Sequence, residues 1–177
     1  QHSEGLVALS ACLAGEIPRA IMDGNYDKAR DTALWYKNLF GEKNFFLEVQ
    51  NHGIAEQQTV NSYIQKLSRE TGIPMVATND VHYPNKDDSF MHKVLLCVQT
   101  GSKIGEQNAL EFKTEEFYLK SESEMRQALS GFDDAIQNTQ KIADRCNVEF
   151  QFGNIKLPFF DTGGEDHYEF FRRKCYD

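Results

Sequence analysis

The chain of 177 residues carries a formal net charge of −8, and hydrophobic residues make up 40% of it. Such a composition supports a folded domain with a sizeable core and excludes an intrinsically disordered protein. The acidic balance disfavours a free-standing nucleic-acid-binding protein, which would carry a basic face. It does not disfavour a module of a larger enzyme that acts on DNA. The apolar runs are far shorter than a membrane span.

The first half of the chain alternates between strand and helix patterns. Three apolar runs predict strands, at 5–10, 45–49 and 74–78. Helical periodicity predicts helices at 25–40 and 56–70, and a glycine closes each of them. This alternation predicts an α/β fold in which helices connect parallel strands, either in an open doubly wound sheet or in a barrel. In both folds, the loops at the C-terminal ends of the strands build the functional site.

After Pro84 the sequence pattern becomes mostly helical. Three helices are predicted: one at 88–98, one that the Ser121–Glu124 capping box opens, and one at 132–146. The alternation of apolar and polar residues at 148–152 predicts a short edge strand. From residue 161, polar and glycine residues predict a turn or linker that leads into another helix.

The stretch MVATNDVHYP, residues 75–84, carries Asp80 and His82 at the end of a predicted buried strand. Their side chains share one face if the strand continues through them. A carboxylate and an imidazole at the C-terminal end of a strand suit Zn, Mn or Fe as a metal ligand pair. The same residues also suit a turn, in which Asn79 or Asp80 binds backbone amides and Pro84 ends the strand. The residues alone leave both interpretations open.

Cys12 follows the first predicted strand, in the stretch LSACLAGEI. Parallel strands would bring it to the same end of the sheet as Asp80 and His82, where the three would form half of a multi-metal site. The alternative is that Cys12 is a small buried apolar side chain, as most free cysteines are. A nucleophilic role ranks below the metal site, because no histidine partner is marked in the sequence.

Two further residues are candidates for the rim of this site. Glu48 lies within the second strand, where a buried carboxylate needs a partner or a metal ion, and a paired interior carboxylate is the favoured interpretation. His52 follows the same strand and is predicted to face the mouth of the site. His92, on the next predicted helix, is expected to be exposed to solvent.

The cysteines are widely scattered and form no C-x-x-C pair: Cys12, Cys97, Cys146 and Cys175. With no signal peptide ahead of them, they favour a reducing, cytoplasmic setting. The chain begins with Gln1 and its last residues still have a helical pattern, so we expect both ends to have been cut from a longer chain.

Five stretches together carry a family resemblance: GLVALSACLAGEIPRAI, GNYDKARDTALWYKNLFG, NFFLEVQNHG, GIPMVATNDVHY and KIADRCNVEFQFGNIKLPFFDTGGED. In order and spacing, from about Gly5 to the C-terminus, they resemble the PHP (polymerase and histidinol phosphatase) domain of bacterial DNA polymerase III alpha subunits. The resemblance implies a distorted (β/α) barrel with metal ions at the strand C-termini, held by His, Asp, Glu and Cys ligands. Cys12 matches the Cys ligand, and Asp80 and His82 match the final pair.

The other ligands of the family, among them an H-x-H near the start of the domain, are not in this sequence. The resemblance therefore implies three parts: residues 1–86 as the C-terminal half of a PHP barrel, 87–160 as a helical extension with a short β element, and 161–177 as the start of the linker to the palm. The Mg-binding carboxylates of the palm would lie further on. A partial barrel has open sheet edges, so we expect association or a rearranged sheet.

The resemblance implies a parent that synthesises DNA, with DNA, deoxynucleotides and other replisome subunits as partners and no contact with a membrane. Its PHP region would bind Zn, Mn or Fe and act either as a 3'-5' exonuclease or as a structural element. This chain alone is expected to have neither activity. Two alternatives stay open: a free-standing PHP-family phosphoesterase, and a metal-free scaffold module.

Overall fold

Three short parallel strands, in the order β1-β2-β3, form the sheet of the computed structural model, which describes residues 2–106 and 110–177. The strands are β1 (Ala8–Leu9), β2 (Phe45–Val49) and β3 (Met75–Ala77). The register pairs Ala8 with Phe45 and Leu47 with Met75. The seven helices of the described residues are α1 (Glu16–Met22), α2 (Tyr26–Phe40), α3 (Ala55–Thr71), α4 (Ser89–Thr100), α5 (Glu122–Ala128), α6 (Asp133–Arg145) and α7 (His167–Tyr176).

The predicted α/β fold with parallel strands and a mostly helical extension is confirmed. The central strand β2 is buried almost throughout, and Leu47 and Val49 have no exposed surface. Helices α2 and α3 pack against β2, α1 packs against both of these helices, and α6 packs against β3. The helices α1, α2 and α3 together supply half of the buried core residues. The continuous apolar run of β2 follows from this burial, since a strand covered on both faces does not need polar alternation.

Helix α6 covers the outer edge of β3. Asn138 Nδ2 donates to the backbone oxygen of Met75 at 2.8 Å, and Thr139 Oγ1 donates to that of Ala77 at 2.7 Å. These bonds satisfy carbonyl groups that would otherwise be free to accept hydrogen bonds from a neighbouring strand. One open edge of the sheet is thus closed by side chains of the same chain.

The structure differs from the sequence prediction in three elements. β1 has two residues rather than the predicted 5–10. Helix α1 was not predicted, because seven residues with Pro18 in the first turn are too short to show a helical period. Residues 148–152 form no strand, since no neighbouring strand pairs with them in the structure, and the Phe152 side chain is 92% exposed.

The chain divides into two compact units, residues 1–146 and 147–177. In the second unit, Asp166 caps α7 by accepting hydrogen bonds from the backbone N–H groups of Tyr168 and Glu169. Glu165 forms an ion pair of 2.8 Å with Arg173. The predicted boundaries at residues 86 and 160 concern the parent protein and stay a prediction. Within the described residues, no helix has both the length and the apolarity that crossing a membrane requires.

Candidate metal centre

The candidate site lies at the carboxyl edge of the sheet. Because all three strands are parallel, the residues that follow them meet at one edge: Cys12 after β1, Gln50 after β2 and Asp80 after β3. The outer strands β1 and β3 are separated by β2, so their axes lie roughly 10 Å apart. The end of β2 therefore lies between the two predicted groups of metal ligands.

Backbone strain is concentrated at this edge. Ala11 and Asp80 have φ angles of 66° and 44°, and they are the only non-glycine residues with positive φ among those that the structure describes. Residues with a Cβ rarely adopt a positive φ, and such backbone conformations persist only where the surrounding structure holds them. Ala11 precedes Cys12, so both strained turns set the direction of predicted ligands.

Asp80 and His82 are brought together. His82 Nε2 lies 3.6 Å from Asp80 Oδ1. Both side chains are more than a third exposed, that of His82 by 34% and that of Asp80 by 40%. The His82 ring packs against Phe112, with centroids 4.6 Å apart, and forms a T-shaped pair with Phe117. The pair thus combines a carboxylate and an imidazole that solvent can reach, with the imidazole supported by an aromatic wall.

His92 also contacts this wall and is partly buried, so the expectation of a solvent-exposed side chain is wrong. Its ring centroid lies 5.3 Å from that of His82 and 5.0 Å from that of Phe112. Burial lowers the pKa of His92, and the neighbouring His82 lowers it further. A neutral imidazole is therefore favoured beside the Asp80–His82 pair.

The side chain of His52 lies beneath the rim rather than on it, because it is only 1% exposed. Its Nε2 lies 2.8 Å from the backbone oxygen of Asn79, which can only accept, so Nε2 carries the hydrogen. Its Nδ1 accepts from Gln57 Nε2 at 2.8 Å, and its ring stacks on Phe117 at 4.0 Å. Burial lowers the pKa of His52. It is a neutral histidine that joins the end of β2 to the end of β3.

The segment after Asn79 is held by residues 116–120. Asn79 Nδ2 donates to the backbone oxygens of Glu116 and Tyr118 at 2.9 and 2.7 Å. Lys120, with a side chain only 3% exposed, forms an ion pair of 3.1 Å with Glu116. A hydrogen bond from Lys86 is the main reason why the pKa of Glu116 is lowered. This buried lysine and its partners fix the backbone that precedes Asp80 and His82.

Glu48 is a paired carboxylate. Its Oε1 accepts from Gln50 Nε2 at 3.0 Å and from the hydroxyl of Thr78. Its backbone N–H donates to Ser10 Oγ at 2.7 Å, which links β2 to the turn after β1. These contacts tie together the ends of all three strands.

Cys12 does not belong to the same group of side chains as Asp80 and His82. It lines a cavity of about 10 Å³ together with Glu48 and Gln50. Among residues 2–106 and 110–177, no three His, Cys, Asp or Glu side chains are close enough to share one metal ion. The donors match Zn, Mn or Fe in kind, but they stand in two groups, a carboxylate–imidazole pair and a thiol.

The sequence reasoning missed Gln50 and Thr78, which complete the polar edge. Gln50 is 6% exposed, and its Nε2 donates both to Glu48 and, at 2.9 Å, to Thr78 Oγ1. A signal was present in the sequence. Gln50 stands two positions after Glu48, so both side chains project from the same face of an otherwise apolar strand.

Comparisons with known proteins identify relatives over most of the chain. Residues 1–52 match the family model described as the PHP domain. The DNA polymerase III subunit alpha of Treponema pallidum (strain Nichols) is 41% identical over 172 residues, which cover 95% of this chain and 15% of that protein. The corresponding subunit of Borreliella burgdorferi is 42% identical over 147 residues, 83% of this chain and 13% of that protein. The Thermus aquaticus subunit is 39% identical over 166 residues, 90% of this chain and 14% of that protein. The chain thus spans about a seventh of the length of these relatives.

Proposed function

We propose that residues 1–86 serve as the C-terminal half of the PHP domain of a bacterial DNA polymerase III alpha subunit, and that the rest of the chain is the extension that follows this domain. The premise is that the chain is homologous over most of its length to a segment of such subunits. The parent would be a DNA-directed DNA polymerase. The observation that carries the proposal is the identity of 41% over 172 residues with a curated subunit of this name. Its substrates would be DNA and deoxynucleotides, its partners other replisome subunits, and its location the cytoplasm.

Within the parent, we assign this region a metal-dependent 3'-5' exonuclease centre. Cys12, Asp80 and His82 are the ligands that it would contribute, because they follow strands that end at one edge. Zn, Mn or Fe suits these donors, whereas the Mg-binding carboxylates of the polymerase would lie outside this chain. When bound, a divalent ion would activate water and stabilise negative charge on the phosphodiester.

The chain's own residues prepare the pair at the end of β3. The aromatic wall of Phe112 and Phe117 limits the rotation of the His82 ring. The backbone N–H of His82 donates to the backbone oxygen of Phe117 at 2.8 Å, which fixes the main chain beneath the ring. A ligand held in this way loses little conformational entropy when it binds.

The test is an exonuclease assay of the intact polymerase that carries this segment. His82→Ala should lower exonuclease activity at least about 10-fold, while primer extension continues. His167→Ala, in α7 of the second unit, is the matched control and should leave both activities unchanged. Equal exonuclease activity in the His82→Ala and unaltered enzymes would refute the role of His82.

The metal content of the intact polymerase separates this proposal from its rivals. A polymerase with bound metal and no exonuclease would indicate a structural metal site. A polymerase without metal would indicate the metal-free scaffold. A free-standing phosphoesterase is disfavoured, because the similarity to polymerase subunits continues far beyond the 52 residues that match the PHP model.

A further inference from the structure

We propose that His52 is a positioning residue for the Asp80–His82 pair. Its Nε2–H holds the backbone oxygen of Asn79, and this bond fixes the turn from which both side chains of the pair project. The inference rests on the proposed function, which assigns Asp80 and His82 to metal binding. His52 is not itself a ligand in this role, because protein partners occupy both of its ring nitrogens.

The first observation is the strained turn that the bond holds. Asp80 has a φ angle of 44°, and the peptide unit on its N-terminal side carries the Asn79 oxygen. This φ angle is the rotation about the bond between that peptide unit and the Asp80 Cα, so the orientation of the Asn79 carbonyl helps to set the direction of the Asp80 side chain. A residue with a Cβ keeps a positive φ only where surrounding contacts hold it.

The second observation is that the bond from His52 to Asn79 is buried and has a defined direction. His52 is 1% exposed, and its Nε2 lies 2.8 Å from the Asn79 oxygen. Gln57 Oε1 accepts from the backbone N–H of His52 at 2.8 Å, so Gln57 Nε2 is the atom that donates to His52 Nδ1, also at 2.8 Å. Because Nδ1 accepts, Nε2 carries the hydrogen and donates to Asn79.

The same ring supports the turn a second time, through Phe117. The rings of His52 and Phe117 stack with centroids 4.0 Å apart. The backbone oxygen of Phe117 accepts from the backbone N–H of His82 at 2.8 Å, and its ring forms a T-shaped pair with the His82 ring. His52 therefore contacts both the residue that precedes Asp80 and the residue that supports His82.

The side chain of Asn79 has anchors of its own. Its Nδ2 donates to the backbone oxygens of Glu116 and Tyr118 at 2.9 and 2.7 Å. Loss of the His52 bond would therefore leave the segment in place but free the peptide unit between Asn79 and Asp80 to rotate. The expected effect is weaker metal binding and not loss of the fold, since a ligand that must be ordered on binding loses conformational entropy.

The test measures Zn²⁺ binding to the intact polymerase that carries this segment, by competition with a chromogenic chelator. Only the Zn²⁺ that His82→Ala removes is counted. His52→Phe keeps a ring against Phe117 but lacks the Nε2–H. It should raise the dissociation constant for Zn²⁺ at least about 10-fold, the scale of effect for residues that orient a metal ligand. His52→Gln keeps an amide N–H near the position of Nε2, and it should bind Zn²⁺ more tightly than His52→Phe.

The matched control is Leu47→Ala, which empties a fully buried position of β2 and removes no hydrogen bond to Asn79. It should bind Zn²⁺ with the affinity of the unaltered polymerase. A merely structural role for His52 makes a different prediction, in which the Zn²⁺ affinity of the variants follows their stability. Leu47→Ala would then lose affinity as His52→Phe does. Primer extension should continue in every variant.

An unchanged dissociation constant in His52→Phe, or equal losses of affinity in His52→Phe and Leu47→Ala, overturns the inference. If His52→Phe does not fold, His52→Asn decides, because its shorter amide does not reach the Asn79 oxygen. It should bind Zn²⁺ more weakly than His52→Gln, and equal binding contradicts the inference. If His82→Ala removes no Zn²⁺, the pair binds no metal and the inference falls with the proposed function. If His82→Ala removes Zn²⁺ and His52→Phe binds it normally, the inference alone fails.

Discussion

The buried histidine beneath the rim makes the stability of this chain dependent on pH. His52 is 1% exposed, and both its ring nitrogens are used in the neutral form. Burial lowers its pKa below the ordinary value of 6.5. Below pH 6.5 the unfolded chain therefore binds a proton that the folded chain does not bind, and the free energy of unfolding falls as the pH falls.

The size of the effect follows from linkage. Each pH unit between the unfolded and the folded pKa changes the free energy of unfolding by up to about 1.4 kcal/mol. Because the unfolded histidine titrates near pH 6.5, the loss between pH 7.5 and pH 5.5 is at most about 1.4 kcal/mol. By about pH 7.5 the unfolded chain has released this proton as well, and His52 adds no further dependence on pH.

The assay is urea denaturation at pH 7.5 and pH 5.5. His52→Gln lowers stability at both values, because it removes a buried ring from Phe117, but it should show a pH dependence smaller by up to about 1.4 kcal/mol. Ile64→Val is the control, since it loses core contacts of α3 without removing a titrating group and should keep the original pH dependence. If His52→Gln keeps it too, the buried neutral histidine is not its source.

Three further predictions concern the packing near the site and a hydrogen bond between α2 and α3. In Gly15→Ala the added Cβ would clash with the backbone oxygen of Ser10. The turn around Cys12 must then shift, and urea denaturation should show a loss of about 1–3 kcal/mol, whereas an unchanged midpoint would contradict this close approach. Leu47→Ala empties a fully buried position of β2 and should cost about 2–5 kcal/mol. Its exposed control, Leu119→Ala, should change stability by less than about 0.5 kcal/mol. The Tyr26 phenol has a pKa of about 12, raised first by burial and then by its hydrogen bond to Glu70. Glu70→Gln should lower this pKa in an absorbance titration but leave it above 10.0, and no change would exclude the carboxylate as a cause.

The sequence by itself determined the class and order of the fold. Alternating apolar runs and helical periods are local properties, and they gave the three parallel strands and the helices α2, α3 and α6 correctly. The strand predicted at 148–152 does not form. Its alternation is a local property too, but a strand forms only when another strand pairs with it, and none does in the structure.

For the candidate site, the sequence indicated the residue types, and the parallel strands brought their positions to one edge. Only the tertiary structure decided which of them are neighbours. His82 adjoins Asp80, whereas Cys12 shares a cavity with Glu48 and Gln50. The ring of Phe117, which lies 65 positions after His52 in the chain, stacks on the ring of His52. Burial and hydrogen-bond partners arise from contacts between segments distant in sequence, so no local pattern of residues could have fixed them.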